Sequence, residues 1–144
     1  MEKAQNYANH VRWYPLVHFV ITPLLTINLI YQIVRLGFEP DWDHGFEVIV
    51  AIVLILMSLA SRLQALKAQD RVIRLEERLR YREVLSPGLA ARASALPTGK
   101  MISLRFASDE ELPGLVERVL AGALSNSKEI KSEIREWRGD YLRV

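Results

Sequence analysis

The sequence predicts an all-α membrane protein: a two-helix transmembrane hairpin whose second helix extends into the cytoplasm, followed by a small C-terminal helical unit. Three observations carry that prediction. Residues 13–34 form an uncharged run of about 22 residues, the length a helix needs to cross a bilayer core. A second apolar run covers residues 48–60. Between Gly45 and Ser86 no glycine or proline interrupts the chain, and Glu, Arg, Leu and Ala dominate after Arg62, all good helix formers. A bilayer core offers the backbone no water to bond, so both apolar runs must be helical.

Composition narrows the reading further. The chain has 144 residues and 50% are hydrophobic, concentrated before Ser61. The formal net charge of +2 is too small to argue for nucleic acid. There is no cysteine, which excludes disulfides, thiolate metal sites and thiol nucleophiles. The organisation expected is residues 1–61 for the N-terminal segment and hairpin, with spans at about 13–34 and 46–61. Residues 62–85 are then the cytoplasmic extension of the second helix, and residues 86–144 a small cytoplasmic helical domain.

The first span follows a polar segment carrying Lys3 and Arg12. It is too long for a signal-peptide core and no small-residue cleavage site ends it, so it is read as retained. Trp13, Tyr14 and Tyr31 lie near its two ends, where aromatic belts form. Pro15 stands at its start, and Pro23 inside it is expected to kink it. The connection that follows holds one cation, Arg35, against Glu39, Asp41, Asp43 and Glu47. Arg62, Lys67, Arg71, Arg74, Arg78, Arg80 and Arg82 come after the second span. The positive-inside rule then places both termini in the cytoplasm and the acidic connection outside.

The second span is short. Phe46 and Gly45 can extend it outward, and Leu63 and Leu66 inward if Arg62 snorkels to the headgroups. The alternative is a re-entrant or interfacial segment, which the contrast in flanking charge disfavours. Asp70 with Arg74, and Glu76 with Arg80, are opposite charges four apart and support a helix that continues into water.

Ser86-Pro87-Gly88 ends the long helix, and Leu96-Pro97-Thr98-Gly99 is a second break. A short helix is expected over residues 89–95. Residues 100–106 fit either a lone strand or a helical turn, with helix favoured because no second strand is evident. Ser108 to Glu111 matches a capping box, with Ser108 as N-cap and Glu111 reaching back. Leu112, Leu115, Val116, Val119, Leu120, Ala123 and Leu124 then follow the helical period. Ser125-Asn126-Ser127 is read as the break, and Ile130, Ile134, Trp137 and Tyr141 as the stripe of a last helix that forms a hairpin with the one before.

Two constellations deserve a function. Ala51, Leu54, Ser58, Ser61, Ala65, Ala68, Val72, Leu75 and Leu79 recur at alternating spacings of three and four, a heptad or coiled-coil seam. Its small residues fall at the membrane boundary, where they let helices approach closely. A second seam, Leu56, Leu59, Leu63, Leu66 and Ile73, lies on another face. Two seams point to two partners, although both can serve packing within one chain. The other constellation is the polar face His18, Thr22, Thr26, Asn28 and Gln32 in the first span. Polar groups in lipid face protein or water. Interhelical hydrogen bonding explains them more simply than a conduction path.

Other candidates are weaker. His10, His18 and His44 do not share a tight face, so no metal or haem site is expected. The Arg-rich run is read as a solvated, salt-bridged face, with Arg62 and Lys67 placed to touch anionic lipid. Asp109-Glu110-Glu111 is read as helix N-terminal chemistry. No nucleophile elbow or phosphate loop is present.

Gln5-Asn6-Tyr7-Ala8-Asn9-His10, Trp13-Tyr14-Pro15 with His18-Phe19, and Leu104-Arg105-Phe106-Ala107-Ser108-Asp109-Glu110-Glu111-Leu112-Pro113 resemble a bacterial family of short two-span membrane proteins of unassigned function. The resemblance implies a bacterial cytoplasmic (inner) membrane and supplies no catalytic residues. The expectation is a non-enzymatic integral membrane protein: an anchor, assembly factor or accessory subunit that forms a homo-oligomer or joins a larger membrane complex. No cofactor is expected. The alternative is a small transport or channel component using the polar face of the first span. A membrane-bound enzyme is a third class, and would need a bound cofactor or metal.

Overall fold

The computed structural model describes residues 5–7 and 13–141. Lys3, His10 and Arg12 lie outside the described residues, and with them most of the predicted polar lead-in. The described chain is helical, with no strand beyond an isolated antiparallel bridge between Ala107 and Trp137. It separates into two compact units, Trp13–Leu66 and the residues from Lys67 onward, the latter with the described N-terminal residues.

In the first unit, a π-helical segment, Leu16–Ile21, leads into α1, Thr22–Phe38. The Thr22 N–H bonds the Val17 carbonyl, five residues back. A proline lacks an N–H and its ring crowds the carbonyl four residues earlier. Pro23 falls just after the wide π turn, at the start of α1, so the predicted disturbance takes the form of a π segment. Only residues 39–41 separate α1 from α2, Trp42–Val84, a single helix of 43 residues. Trp42 to Gly45 were expected in the connection and are instead the first turn of α2. Asp41 explains the earlier start: its carboxylate accepts the His44 N–H at 2.7 Å, as an N-cap does. Leu16–Phe38 and Trp42–Val84 are each long and apolar enough to cross a membrane.

The second unit begins on α2 and adds α3 (Pro87–Ala93), α4 (Thr98–Leu104), α5 (Leu112–Leu120) and α6 (Ser127–Glu133). Proline sets two of these starts: Pro87 opens α3, and Pro97 immediately precedes α4, which makes residues 100–104 helical and leaves Arg105 and Phe106 in the turn that follows. Tyr81 of α2 and Leu85, just past its end, join a core that includes Met101, Leu104, Phe106, Leu112, Val116 and Ile130, and Ile73 of α2 is buried as well.

Several local expectations are corrected. Glu111 does not reach back to Ser108. The Ser108 hydroxyl accepts the Glu111 N–H at 3.4 Å, but the Glu111 carboxylate accepts the N–H groups of Arg135 and Glu136. Helix α5 therefore starts at Leu112. It ends at Leu120 because Gly122 adopts φ +81°, the left-handed cap that glycine favours, and the Ala123 N–H bonds the Arg118 carbonyl. Leu124 is past the helix yet still buried. The last apolar stripe is not helical throughout: α6 stops at Glu133, and Trp137 pairs with Ala107 in the bridge. No α5–α6 hairpin forms, since α6 packs chiefly on α4 and α5 on α3.

Candidate functional site

In the first unit, the predicted polar face divides. His18, Thr22 and Thr26, spaced four apart, line a cavity of about 270 Å³ together with Ser58 and Arg62 of α2. Asn28 and Gln32 do not line it; the Gln32 Oε1 is buried without a hydrogen-bond partner among the described residues. Thr26 is internally satisfied, donating to the Thr22 carbonyl at 2.8 Å. His18 folds back on its own turn, with Nδ1 2.9 Å from the Tyr14 carbonyl and the ring edge-on to Trp13.

The heptad seam enters this unit as Ala51, Leu54, Ser58, Ser61 and Ala65. Ala51 is buried, whereas Leu54, Ser58, Ser61 and Ala65 line a second cavity of about 490 Å³ with Tyr14, Val17, Ile21, Leu25 and Arg62. Its lining is almost wholly apolar apart from the two serines, Tyr14 and Arg62. Arg62 borders both cavities, while Lys67 is exposed on the other unit.

A charged cluster at the α1–α2 connection was not foreseen. Arg35 pairs with Glu47 at 3.2 Å and with the His44 Nε2, while the His44 Nδ1 lies 2.8 Å from the Glu39 carbonyl. His44 is only 8% exposed. The available signal was one cation inside an acidic connection.

In the second unit, Ala68, Val72, Leu75 and Leu79 of the seam remain exposed, the last three at 54%, 60% and 50%. Of the second predicted seam only Ile73 is buried; Leu56, Leu59 and Leu63 are exposed and Leu66 is half-buried. The Arg-rich run is also not uniformly solvated, which corrects its reading as a simple salt-bridged face. Arg80 is 8% exposed and bonds Asp109 and the Ala107 carbonyl rather than Glu76. Arg78 donates to the Ser94 carbonyl through Nε and one terminal nitrogen, at 3.2 and 3.0 Å. Asp109 is thus an anchor for Arg80 and not only a helix N-terminal charge.

Arg80 also borders a polar cavity of about 490 Å³, lined with it by Glu76, Glu77, Arg105 and residues 138–141. Burial pushes the Glu77 carboxyl above the usual carboxylate range, against the opposing pull of the Arg80 guanidinium. Arg105 pairs with Asp140 at 3.0 Å and lies over the Phe106 ring. Asp140 is held in turn by Gln5, which accepts its N–H and donates to its carbonyl. The arginines and carboxylates balance, so the cavity presents no strong net field to a charged ligand. Its residues are far apart in sequence and no local motif joins them. Among the described residues no three His, Cys, Asp or Glu side chains gather as a metal-binding group.

The comparison with known families covers the chain from end to end: residues 1–144 match the family described as "Family of unknown function (DUF6526)". The chain belongs to this family. No curated protein and no solved structure matches it. The arrangements above therefore carry the functional argument by their own chemistry: two apolar helices, a groove with a few hydroxyls and one arginine, an exposed apolar stripe, and a polar cavity built from charges that satisfy one another.

Proposed function

We propose that this is a non-enzymatic integral membrane protein of the bacterial cytoplasmic membrane, acting as an anchor, assembly factor or accessory subunit through helix–helix association. In this reading the two apolar helices form a hairpin with both termini in the cytoplasm, and α2 runs on into the cytoplasm. The wide exposure of apolar side chains on Leu16–Phe38 and the first half of α2, such as Ile27 at 62% and Met57 at 63%, suits a lipid environment. Arg62 and Lys67 then lie where anionic headgroups are reached.

The observation that carries the interaction reading is the stripe Val72, Leu75 and Leu79, half or more exposed on a helix that buries another face in its own core. A helix paying to expose such a stripe to water is expected to cover it with a partner. Purification of the full chain from native membranes in mild detergent, with mass and co-purifying proteins recorded, tests this. A lone monomer that also resists crosslinking in those membranes sinks the proposal.

The second reading is a small transport component, and the cavity bordered by His18, Thr22 and Thr26 favours it. Replacing Thr22 and Thr26 with Val in liposome-reconstituted protein abolishes solute flux under that reading. Under the interaction reading no flux is present to lose.

A further inference from the structure

We propose that the occupant of the exposed stripe on α2 is a second copy of this chain, docked in parallel over residues 68–83. This rests on the membrane reading above, because copies inserted with one topology present their second helices in the same direction. The heptad register is fixed by the spacing: Val72 and Leu79 at position a, Ala68 and Leu75 at position d. Val72 at a with Leu75 at d is the combination that favours parallel two-stranded pairing. At standard helical geometry this stripe is centred about 155° from the face formed by Ile73, Glu77, Arg80 and Tyr81. Those four are buried by the chain's own fold, so the second unit does not compete for the stripe.

Charge selects the occupant and its direction. Position g is Arg71 and then Arg78, and position e is Glu76 and then Glu83. In a parallel pair, a g residue meets the e residue five places on in the other helix. Arg71 then meets Glu76 of the partner subunit, and Arg78 meets Glu83 of the partner subunit. Twofold symmetry repeats both contacts. An antiparallel pair would set g against g and e against e, giving arginine opposite arginine and glutamate opposite glutamate. Arg78 also holds the Ser94 carbonyl, but a guanidinium has five donors and can serve both. Arg71 and Glu76 are exposed and supply the sharper test. Two heptads make a short interface, and confinement to one membrane raises the local concentration that a short interface needs.

The chain has no cysteine, so single cysteines report the interface cleanly. Leu75→Cys and, as an off-seam control, Arg74→Cys are introduced into the full chain and oxidised in native membranes. Leu75→Cys gives a disulfide-linked pair of this chain and Arg74→Cys does not. Arg71→Glu in the Leu75→Cys background weakens association about tenfold, from two lost attractions and two new repulsions, and adding Glu76→Arg restores the crosslink. Equal crosslinking at both positions, or failure of the double reversal to restore it, overturns the proposal. Crosslinking of Leu75→Cys to a different protein also overturns it, while leaving the interaction reading intact. No crosslink to anything, with a lone monomer on purification, removes both.

Discussion

Arg80 meets Asp109 through two nitrogens on one carboxylate oxygen, Nε at 2.7 Å and a terminal nitrogen at 2.6 Å, although 29 residues separate them. The same guanidinium donates to the Ala107 carbonyl at 2.7 Å and approaches Glu77 at 3.4 Å. One side chain thus ties α2 to the link between α4 and α5. It neutralises the buried Glu77 and satisfies a carbonyl that the fold withholds from water. Losing one partner of a buried charge pair strands the other. Arg80→Ala is therefore expected to cost about 3–5 kcal/mol, measured by denaturant unfolding of the full chain in mild detergent. Asp109 is 59% exposed at its side chain, so Asp109→Ala should cost only about 1 kcal/mol. Equal costs would refute this division of roles.

Glu77 gives the second unit a pH dependence of defined sign. Its carboxyl is raised by burial, so the folded chain holds the proton more tightly than the unfolded chain. The stabilising contribution of that proton is complete below the unfolded-state value and is lost as pH rises through the raised folded-state value. Glu77→Gln keeps an acceptor for Arg80 and removes the ionisation. The variant should melt at a higher temperature than the natural chain above that window and vary less across it. A lower melting temperature on the neutral side would show that the Arg80 pairing outweighs the cost of burial.

Tyr81 is fully buried, and its hydroxyl has no hydrogen-bond partner among the described residues. Burial raises its pKa, with the nearby Glu77 charge adding to the effect. An unpaired buried hydroxyl costs about 1–3 kcal/mol, whereas the ring fills the core. Tyr81→Phe should thus leave stability unchanged or raise it by about 1 kcal/mol, and Tyr81→Ala should lower it by about 3–5 kcal/mol. Thermal melts of the two variants separate ring packing from hydroxyl chemistry. A clear loss in Tyr81→Phe would mean that the hydroxyl is bonded in solution.

What the sequence makes legible here is local and periodic. The absence of glycine and proline after Gly45 announces the long α2, and Pro87 and Pro97 mark the short helices that follow. The same logic fails where contacts are non-local. No spacing rule joins Glu77, Arg105 and Asp140 around one cavity, because three separate chain segments meet there. The polar face illustrates a limit of the helical wheel. Residues four apart, His18, Thr22 and Thr26, do meet, but the step from Thr26 to Asn28 turns about 200° and carries Asn28 away. Capping motifs mislead in another way: the Ser108–Glu111 pattern is present, yet the backbone amides of Arg135 and Glu136 take the Glu111 carboxylate.

The full capping arrangement appears instead at Asn126 and Glu129. Asn126 accepts the N–H groups of Lys128 and Glu129, both at 3.0 Å. Glu129 accepts the Ser125 N–H at 2.7 Å and its hydroxyl at 2.9 Å, which holds the carboxyl below its usual range. These bonds fix the start of α6, and α6 positions Ile130 in the core. Asn126→Ala is expected to destabilise the second unit by about 1 kcal/mol, and Asn126→Asp, which keeps the acceptor, by much less. Amide hydrogen exchange provides the local readout. In Asn126→Ala, protection at Ile130 should fall before protection within α2 does. Uniform loss of protection across both helices would instead mean that α6 and α2 unfold together, and that the cap supports the whole unit rather than its last helix alone.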